Sequence, residues 1–374
     1  MAPHIRRKNS GIAGIAMVTS RENDHFRVDL ISLLNGRLIT TFTDFHASHA
    51  VIPVENLNRF YVHGRKGTTG KGVLMGVQVN PKTEEWRVLY EQELDGGMPL
   101  HWQPNKDYSL ILYNTIDDGA LHVLNTRSLK LESYHGGGRH SNMAFYNNDN
   151  WLVSTDNLRG GTTLSVIERK TGEILSETPA GGWGHGETVN DKTERAFVWA
   201  CDCVHIIGLG KGNRGKHLGV IKPSQGGQRS WFCWTPQGQR FSHDQTWNPN
   251  DIFSPWLTVL DMEKDQLLRI KSDGEELGTL ATSPDGKLGA CGSHSSQNAC
   301  LFDISSNRFM GKVKIGNGDT GFFDRDISFS KDRSVVFFTN PPEKTITAVH
   351  IERLSVVSQI DLPAKPQWMK VLTV

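Results

Sequence analysis

Apolar and polar positions alternate along this chain in short runs, each closed by a polar turn. The clearest unit is Leu280-Ala281-Thr282-Ser283-Pro284-Asp285-Gly286-Lys287-Leu288-Gly289-Ala290, which reads as strand, turn and strand. Pro284 and the Asp285-Gly286 pair supply the turn geometry. The same shape recurs at 327–338, 232–242, 101–113, 144–154, 188–199 and 51–62. The residues just before these turns are Pro53, Gln103, Tyr146, Asn190, Thr235, Ser283 and Ser330, spaced 50, 43, 44, 45, 48 and 47 positions apart. A second strand–turn–strand follows most of them, turning at 80–83, 125–128, 170–172, 261–264 and 303–306.

Repeats of this length, each holding four strands, are what the blades of a β-propeller require. The expected fold is therefore all-β: a tail over 1–11 and a single-domain propeller over 12–374. The ends supply a further blade. Ile12–Thr19, Phe26–Leu33 and Arg37–Thr43 read as three strands with no inner strand before them, and Gln367–Leu372 as an inner strand with no partner after it. The C-terminal strand is expected to join the three N-terminal strands and close the ring, which removes both sheet edges. The count is eight blades, or seven if one unit is irregular.

The Ser283–Lys287 turn, Ser-Pro-Asp-Gly-Lys, resembles that of lactonase-like and Tyr-Val-Thr-Asn-type propellers. The resemblance implies the architecture and selects no activity, because propellers serve as enzymes, sensors and scaffolds. The WD-repeat signature, a Gly-His then a Trp-Asp in each blade, is absent, which disfavours a plain protein-interaction propeller.

Composition then narrows the class. The chain has 374 residues, and 41 Lys and Arg against 40 Asp and Glu leave a charge of +1, so bulk charge does not favour nucleic acid. No run of about 18 apolar residues suggests a membrane span. Five cysteines imply no disulfide framework, and a reducing cytoplasm is the expected setting. Short strands and many turns account for 38 Gly and for a hydrophobic content of 37%.

The 15 histidines are the chemical signal. Strand alternation assigns faces to each inner strand. One and three positions before the turn, residues such as Ile52, Trp102, Met143 and Ile327 are apolar and are expected between blades. Two and four positions before it, Val51, His101, Thr188, His49, Asn142, Thr279 and Asp326 are smaller or more polar and are expected to line a central channel. His140 continues that face, His185 lies on the approach to its strand, and His243 ends a second strand. Glu187 is the one charge in an apolar column. It needs a partner or a metal, or else a one-residue slip that turns it into the channel.

Imidazole suits Cu, Fe and Zn, and histidines from several blades can leave a coordination position open for substrate. The expected metal ligands are His49, His101, His140 and His185. Glu187, Asp326 and His243 are the expected catalytic groups that move protons. Copper or iron is favoured and zinc is possible, because the set is rich in His and poor in Cys. The leading function is a metal-dependent oxidoreductase or oxygenase acting on a small organic molecule. The alternatives are a metal-free lyase, lactonase or isomerase using His and Glu, and a non-catalytic ligand-binding or protein-interaction propeller.

Other motifs are weaker. Gly210–His217 nearly matches a P-loop but lacks the final Ser or Thr and leads into a strand pattern, so nucleotide chemistry is rejected. The Gly64–Gly72 loop reads as a connector rather than an anion site. Cys201 and Cys203 make half a zinc site at most and read as buried thiols. The irregular segment 243–255, with Trp247 and Phe253, could lie over the site.

Overall fold

The apolar runs become strands because turn residues punctuate them and their side chains are buried on both faces. A computed structural model describes residues 11–22, 25–138, 142–156, 161–182, 184–200, 203–222, 232–234, 240–243, 255–283, 285–293, 296–317 and 326–374. Among them the only helix is a single 3-10 turn, Glu55–Leu57, and the strands form eight four-stranded sheets.

The N-terminal strands are β1 (Gly14–Glu22), β2 (His25–Ser32) and β3 (Leu38–Phe42). The next sheet is β4 (His46–Val54), β5 (Arg59–Arg65), β6 (Gly72–Val79) and β7 (Trp86–Leu94). The third is β8 (Pro99–Pro104), β9 (Leu110–Thr115), β10 (Leu121–Asn125) and β11 (Leu131–Tyr134). The fourth is β12 (Met143–Tyr146), β13 (Trp151–Asp156), β14 (Thr163–Glu168) and β15 (Ile174–Pro179). The fifth is β16 (Gly184–Asn190), β17 (Arg195–Ala200), β18 (Val204–Gly208) and β19 (His217–Ile221). The sixth is β20 (Phe232–Trp234), β21 (Arg240–His243), β22 (Trp256–Asp261) and β23 (Gln266–Lys271). The seventh is β24 (Leu277–Thr282), β25 (Leu288–Ser293), β26 (Asn298–Asp303) and β27 (Arg308–Lys314). The eighth is β28 (Ile327–Phe329), β29 (Val335–Asn340), β30 (Thr345–His350) and β31 (Ser355–Asp361), after which β32 (Lys365–Thr373) ends the chain.

Each of these seven later sheets is a meander in chain order. The first is different: its order is β3-β2-β1-β32, so the C-terminal strand completes the N-terminal sheet. The pairing runs from Gly14 opposite Thr373 to Arg21 opposite Lys365, as the unpartnered strands at the two chain ends predict. By contact density the chain forms two compact units, 1–92 with 270–374, and 93–269.

The hairpin turns have a chemical cause. The Ser283 hydroxyl accepts the Leu288 N–H and donates to Asp285, whose carboxylate accepts the Lys287 N–H. Ser330 and Asp332 repeat this with Val335 and Ser334, and Asn105 and Asp107 with Leu110 and Ser109. In each turn the fourth residue has positive φ: Gly286 at 67°, Arg333 at 63° and Tyr108 at 59°. Only glycine takes that conformation without cost, which explains Asp-Gly in the clearest repeat. The outer hairpins turn on an Asn or Asp that accepts two following N–H groups, as Asn80, Asn125 and Asp261 do, and Asn190 does the same in the inner hairpin of the fifth sheet.

The core corrects one expectation about faces. Along β29, Val335 and Phe337 pack with Ala16, Val18, Met369 and Val371, while Val336 and Phe338 pack with Ala290, Leu301 and Val313. Along β1, Ile15 and Met17 join Val28, Val51 and Phe60, while Ala16 and Val18 join the first of those groups. Alternate residues thus enter two different cores, and the sheets are covered on both faces. The column expected to line an open channel is buried too: Val51 is 1% exposed, Thr188 1%, Asp326 5% and Thr279 8%. Some of its polar members are hydrogen-bonded within the protein; Ser328, for example, accepts the Val371 N–H. The Thr188 and Thr279 hydroxyls have no hydrogen-bond partner among the described residues.

Candidate functional site

The innermost strands share a device near their N-terminal ends. In β4 the pairs Ala47–Gly64 and Val51–Val62 bracket extra residues, and in β8 the pairs Pro99–Thr115 and Trp102–Tyr113 do. In β16 the brackets are Gly184–Ala200 and Glu187–Val198, and in β24 they are Leu277–Ser293 and Leu280–Cys291. Each is a β-bulge at the same place in its blade. Bulges re-aim side chains and recur beside functional sites.

The residue just before the first regular pair is then Ala50, His101, Gly186 or Thr279, and in the unbulged β12 and β28 it is Asn142 or Asp326. This lead position is held from the second strand of the blade. The Asn114 carboxamide oxygen accepts the His101 N–H at 2.9 Å, and the Thr155 hydroxyl accepts the Asn142 N–H at 3.2 Å. Thr339 accepts the Asp326 N–H at 2.7 Å, and Thr19 accepts the Trp368 N–H at 3.1 Å. All four clamping side chains are at most 1% exposed. A buried hydroxyl or amide is the cheapest acceptor for an N–H that the bulge leaves outside the ladder. The sequence reading missed these residues; the signal was one polar residue near the end of an otherwise apolar second strand.

The register revises which site residues correspond. His49 and His185 both lie one residue before the lead position, whereas His101 occupies the lead position itself, as do Asn142 and Asp326. Counting back from the turn had aligned His49 with Asp326. The 3-10 turn Glu55–Leu57 after β4 shifts that strand by one residue, and the Asn105 turn shifts β8 by two. A one-residue shift exchanges faces and a two-residue shift does not.

The described side chains divide as follows. His101 is half-buried at the end of its bulge. The backbones of His49 and His185 lie in strands, and His243 ends β21, but the side chains of all three fall outside the described residues, as does the whole of His140. The segment 244–254, with Trp247 and Phe253, also falls outside them. Glu187 is fully buried, in register with Met143, Leu280 and Ile327. Its bulge precedes it, so the slip that would swap its face acts on His185 and Gly186 instead.

Asp326 is tied to the C-terminal strand. The Lys370 ammonium donates to both carboxylate oxygens, at 2.7 and 2.6 Å, and to the Ile327 carbonyl at 3.1 Å. The N–H groups of Ile327 and Met369 each donate to one oxygen at 2.8 Å. Three donor groups make four hydrogen bonds to the carboxylate, so it anchors β32 against β28.

A second histidine set was not anticipated. His205 on β18 meets Cys203 through Nε2 at 3.3 Å and His217 on β19 through Nδ1 at 2.8 Å. Cys203 and His217 use opposite ring nitrogens, so the three do not converge on one ion. Among the described residues no group of three or more His, Cys, Asp or Glu is placed to hold a metal. The near-P-loop at 210–217 leads into strand β19, as the sequence pattern suggests. The Gly64–Gly72 loop is a turn tied down by Lys66 to Glu91 and by Thr68 to Asp44, the latter through hydrogen bonds of 3.0 and 2.8 Å. No helix among the described residues is long and apolar enough to cross a membrane.

Comparison with solved structures identifies the class. The apo form of AztD from Citrobacter koseri is similar over 97% of this chain and 98% of its own, with a TM-score of 0.74 at 12% identity. The dihydro-heme d1 dehydrogenase NirN in complex with DHE is similar over 99% of this chain and 77% of its own, with a TM-score of 0.64 at 13% identity. The β-propeller domain of Cps50 (Swd1) from Myceliophteria thermophila is similar over 72% of this chain and 88% of its own, with a TM-score of 0.52 at 10% identity. With eight four-stranded antiparallel sheets, the chain has the β-propeller fold. No protein-family model matches it, and neither does any curated protein.

Proposed function

We propose that this propeller binds a transition-metal ion through histidines of its innermost strands and uses it in oxidoreductase or oxygenase chemistry on a small organic molecule. The ligands in this reading are His101, His140 and His185, with His49 at the matching register position of β4. One observation carries it: the bulges of β4 and β16 bear His49 and His185 at the same register position, and the bulge of β8 bears His101 one residue further on. Bulges re-aim side chains, and three imidazole donors at one kind of irregularity fit a nitrogen-rich ligand set. A propeller's innermost strands surround its central channel. Copper or iron is favoured over zinc by that donor chemistry.

When bound, the ion supplies Lewis-acid and redox chemistry. The chain's own groups do the rest. The clamps on the lead positions, such as Asn114 on His101, hold the backbone so that a ligand needs no reorganisation. Glu187 and His243 are the groups that move protons in this reading. Asp326 serves as an anchor rather than a base. The dehydrogenase NirN offers a parallel for redox chemistry on this fold. A small-molecule substrate and a cytoplasmic setting belong to the same proposal.

Elemental analysis of protein purified without a tag tests it. The expected result is about one equivalent of metal, lowered by His49→Ala, His101→Ala and His185→Ala and unchanged by His217→Ala. Less than about a tenth of an equivalent after reconstitution overturns the metal reading and leaves acid–base or non-catalytic ligand binding.

A further inference from the structure

A polar chain crosses the third sheet from its second strand to its outer edge. Asp118, in the turn between β9 and β10, accepts the Thr115 hydroxyl at 2.6 Å and the Ala120 N–H at 2.9 Å. Thr115 Oγ1 lies 3.3 Å from His122 Nε2, and His122 Nδ1 lies 2.8 Å from the Ser133 hydroxyl. Thr115 is fully buried and His122 is 7% exposed, whereas Ser133 is exposed on the outer strand.

The donors can be assigned in order. A carboxylate only accepts, so Asp118 takes the Thr115 proton. Thr115 Oγ1 then meets the ring as an acceptor, which places the imidazole proton on Nε2. Nδ1 is left with its lone pair and accepts from Ser133. Burial lowers the His122 pKa, the Asp118 charge opposes that and His135 reinforces it, so the ring is neutral at pH 7. Asp118 is held in its charged form: burial raises its pKa, and the hydrogen bonds from the Thr115 hydroxyl and the Ala120 N–H oppose that and lower it.

We propose that Ser133 is a base-activated nucleophile, a site at which the chain accepts an acyl group from an activated ester or thioester. This site is independent of the innermost-strand histidines. The Ser133 proton moves to His122 Nδ1 as Oγ bonds to the acyl carbon. The bond from that carbon to the leaving oxygen or sulfur breaks, and the proton leaves His122 with the departing alcohol or thiol. The products are an O-acyl serine and the free leaving group, with no oxidant or reductant required. His122 is the general base; Thr115 and Asp118 are positioning residues that act by fixing its tautomer.

The eighth sheet does not share this set. The same register positions in the eighth sheet carry Asn340, Glu343, Thr347 and Gln359, where the Asn340 amide donates to Thr347 at 2.8 Å and no base meets a hydroxyl on the outer strand.

The experiment treats the full-length protein with p-nitrophenyl acetate and maps acetylated residues by digestion and mass spectrometry. Ser133 is expected to label about 10²-fold faster than the median of the other labelled serines, the gain a positioned base supplies. His122→Gln is expected to remove that advantage. Thr115→Val is expected to lower it and to shift the His122 ring nitrogen resonances away from the Nε2–H pattern, a signature that a merely structural role would not couple to labelling. Labelling of Ser133 at the median rate in the unaltered protein overturns the proposal without recourse to a variant. So does an Nδ1–H tautomer for His122 in its nitrogen-15 spectrum.

Discussion

The Asp326 anchor makes the strongest quantitative prediction. Replacing Asp326 with Ala removes an acceptor used by the Met369 N–H, the Ile327 N–H and the Lys370 ammonium. The carboxylate side chain is 7% exposed and that of Lys370 is 20% exposed, so the stranded ammonium recovers only part of its hydration. Breaking a buried pair from one side costs about 3–5 kcal/mol. Because Lys370 reaches some water, the expected loss lies near about 3 kcal/mol. Asp326→Asn keeps the shape and one acceptor, and about 2 kcal/mol is expected. Lys370→Met leaves the carboxylate its two N–H donors and should cost less than Asp326→Ala. The assay is urea unfolding of the single variants and the double variant, with the slope compared as well as the midpoint. A coupling energy of about 1.5 kcal/mol or more is expected between Asp326 and Lys370. A coupling below about 0.5 kcal/mol, with Asp326→Ala within about 1 kcal/mol of the parent, would refute the anchoring argument.

Two further predictions follow from buried polar groups. Burial pushes the Glu275 carboxyl up, but hydrogen bonds from Lys312, Ser296, Ser293 and Asn298 outweigh it and lower the pKa from 4.5 to about 2. A depressed carboxyl stabilises above its unfolded pKa, so this contribution, up to about 3 kcal/mol, is complete above pH 4.5 and is lost as pH falls towards 2, with about 2 kcal/mol gone by pH 3. Glu275→Gln should reduce the drop in thermal midpoint between about pH 6 and about pH 3, and an equal drop in both proteins would disprove the linkage. Thr339→Val preserves shape while leaving the Asp326 N–H without its 2.7 Å acceptor. It should cost about 1–3 kcal/mol in urea unfolding, and an unchanged midpoint would show that the clamp is dispensable.

Much of the fold is legible along the chain because its causes are local. Asp-Gly and Asn-initiated turns follow from side chains that bond their own backbone, and period-two runs follow from strand geometry. Those two signals give the number of sheets. They also give the pairing of the C-terminal strand, since three strands lack an inner partner and one lacks a neighbour. The faces were less legible. Val335 and Val336 are both apolar, and nothing local says that each enters a different core.

The candidate site shows the same division. Sequence alone determines that His49 and His101 sit on inner strands, that His185 lies on the approach to one, and that Glu187 interrupts an apolar column. Tertiary structure decided that Asp326 faces Lys370 across 44 residues of chain, that His49 shares a register position with His185 rather than with Asp326, and that Ser133 meets a ring whose tautomer Asp118 controls. The physical reason is that a bulge or a one-residue turn difference exchanges faces without changing composition, and a hydrogen bond joins groups whose separation only packing defines.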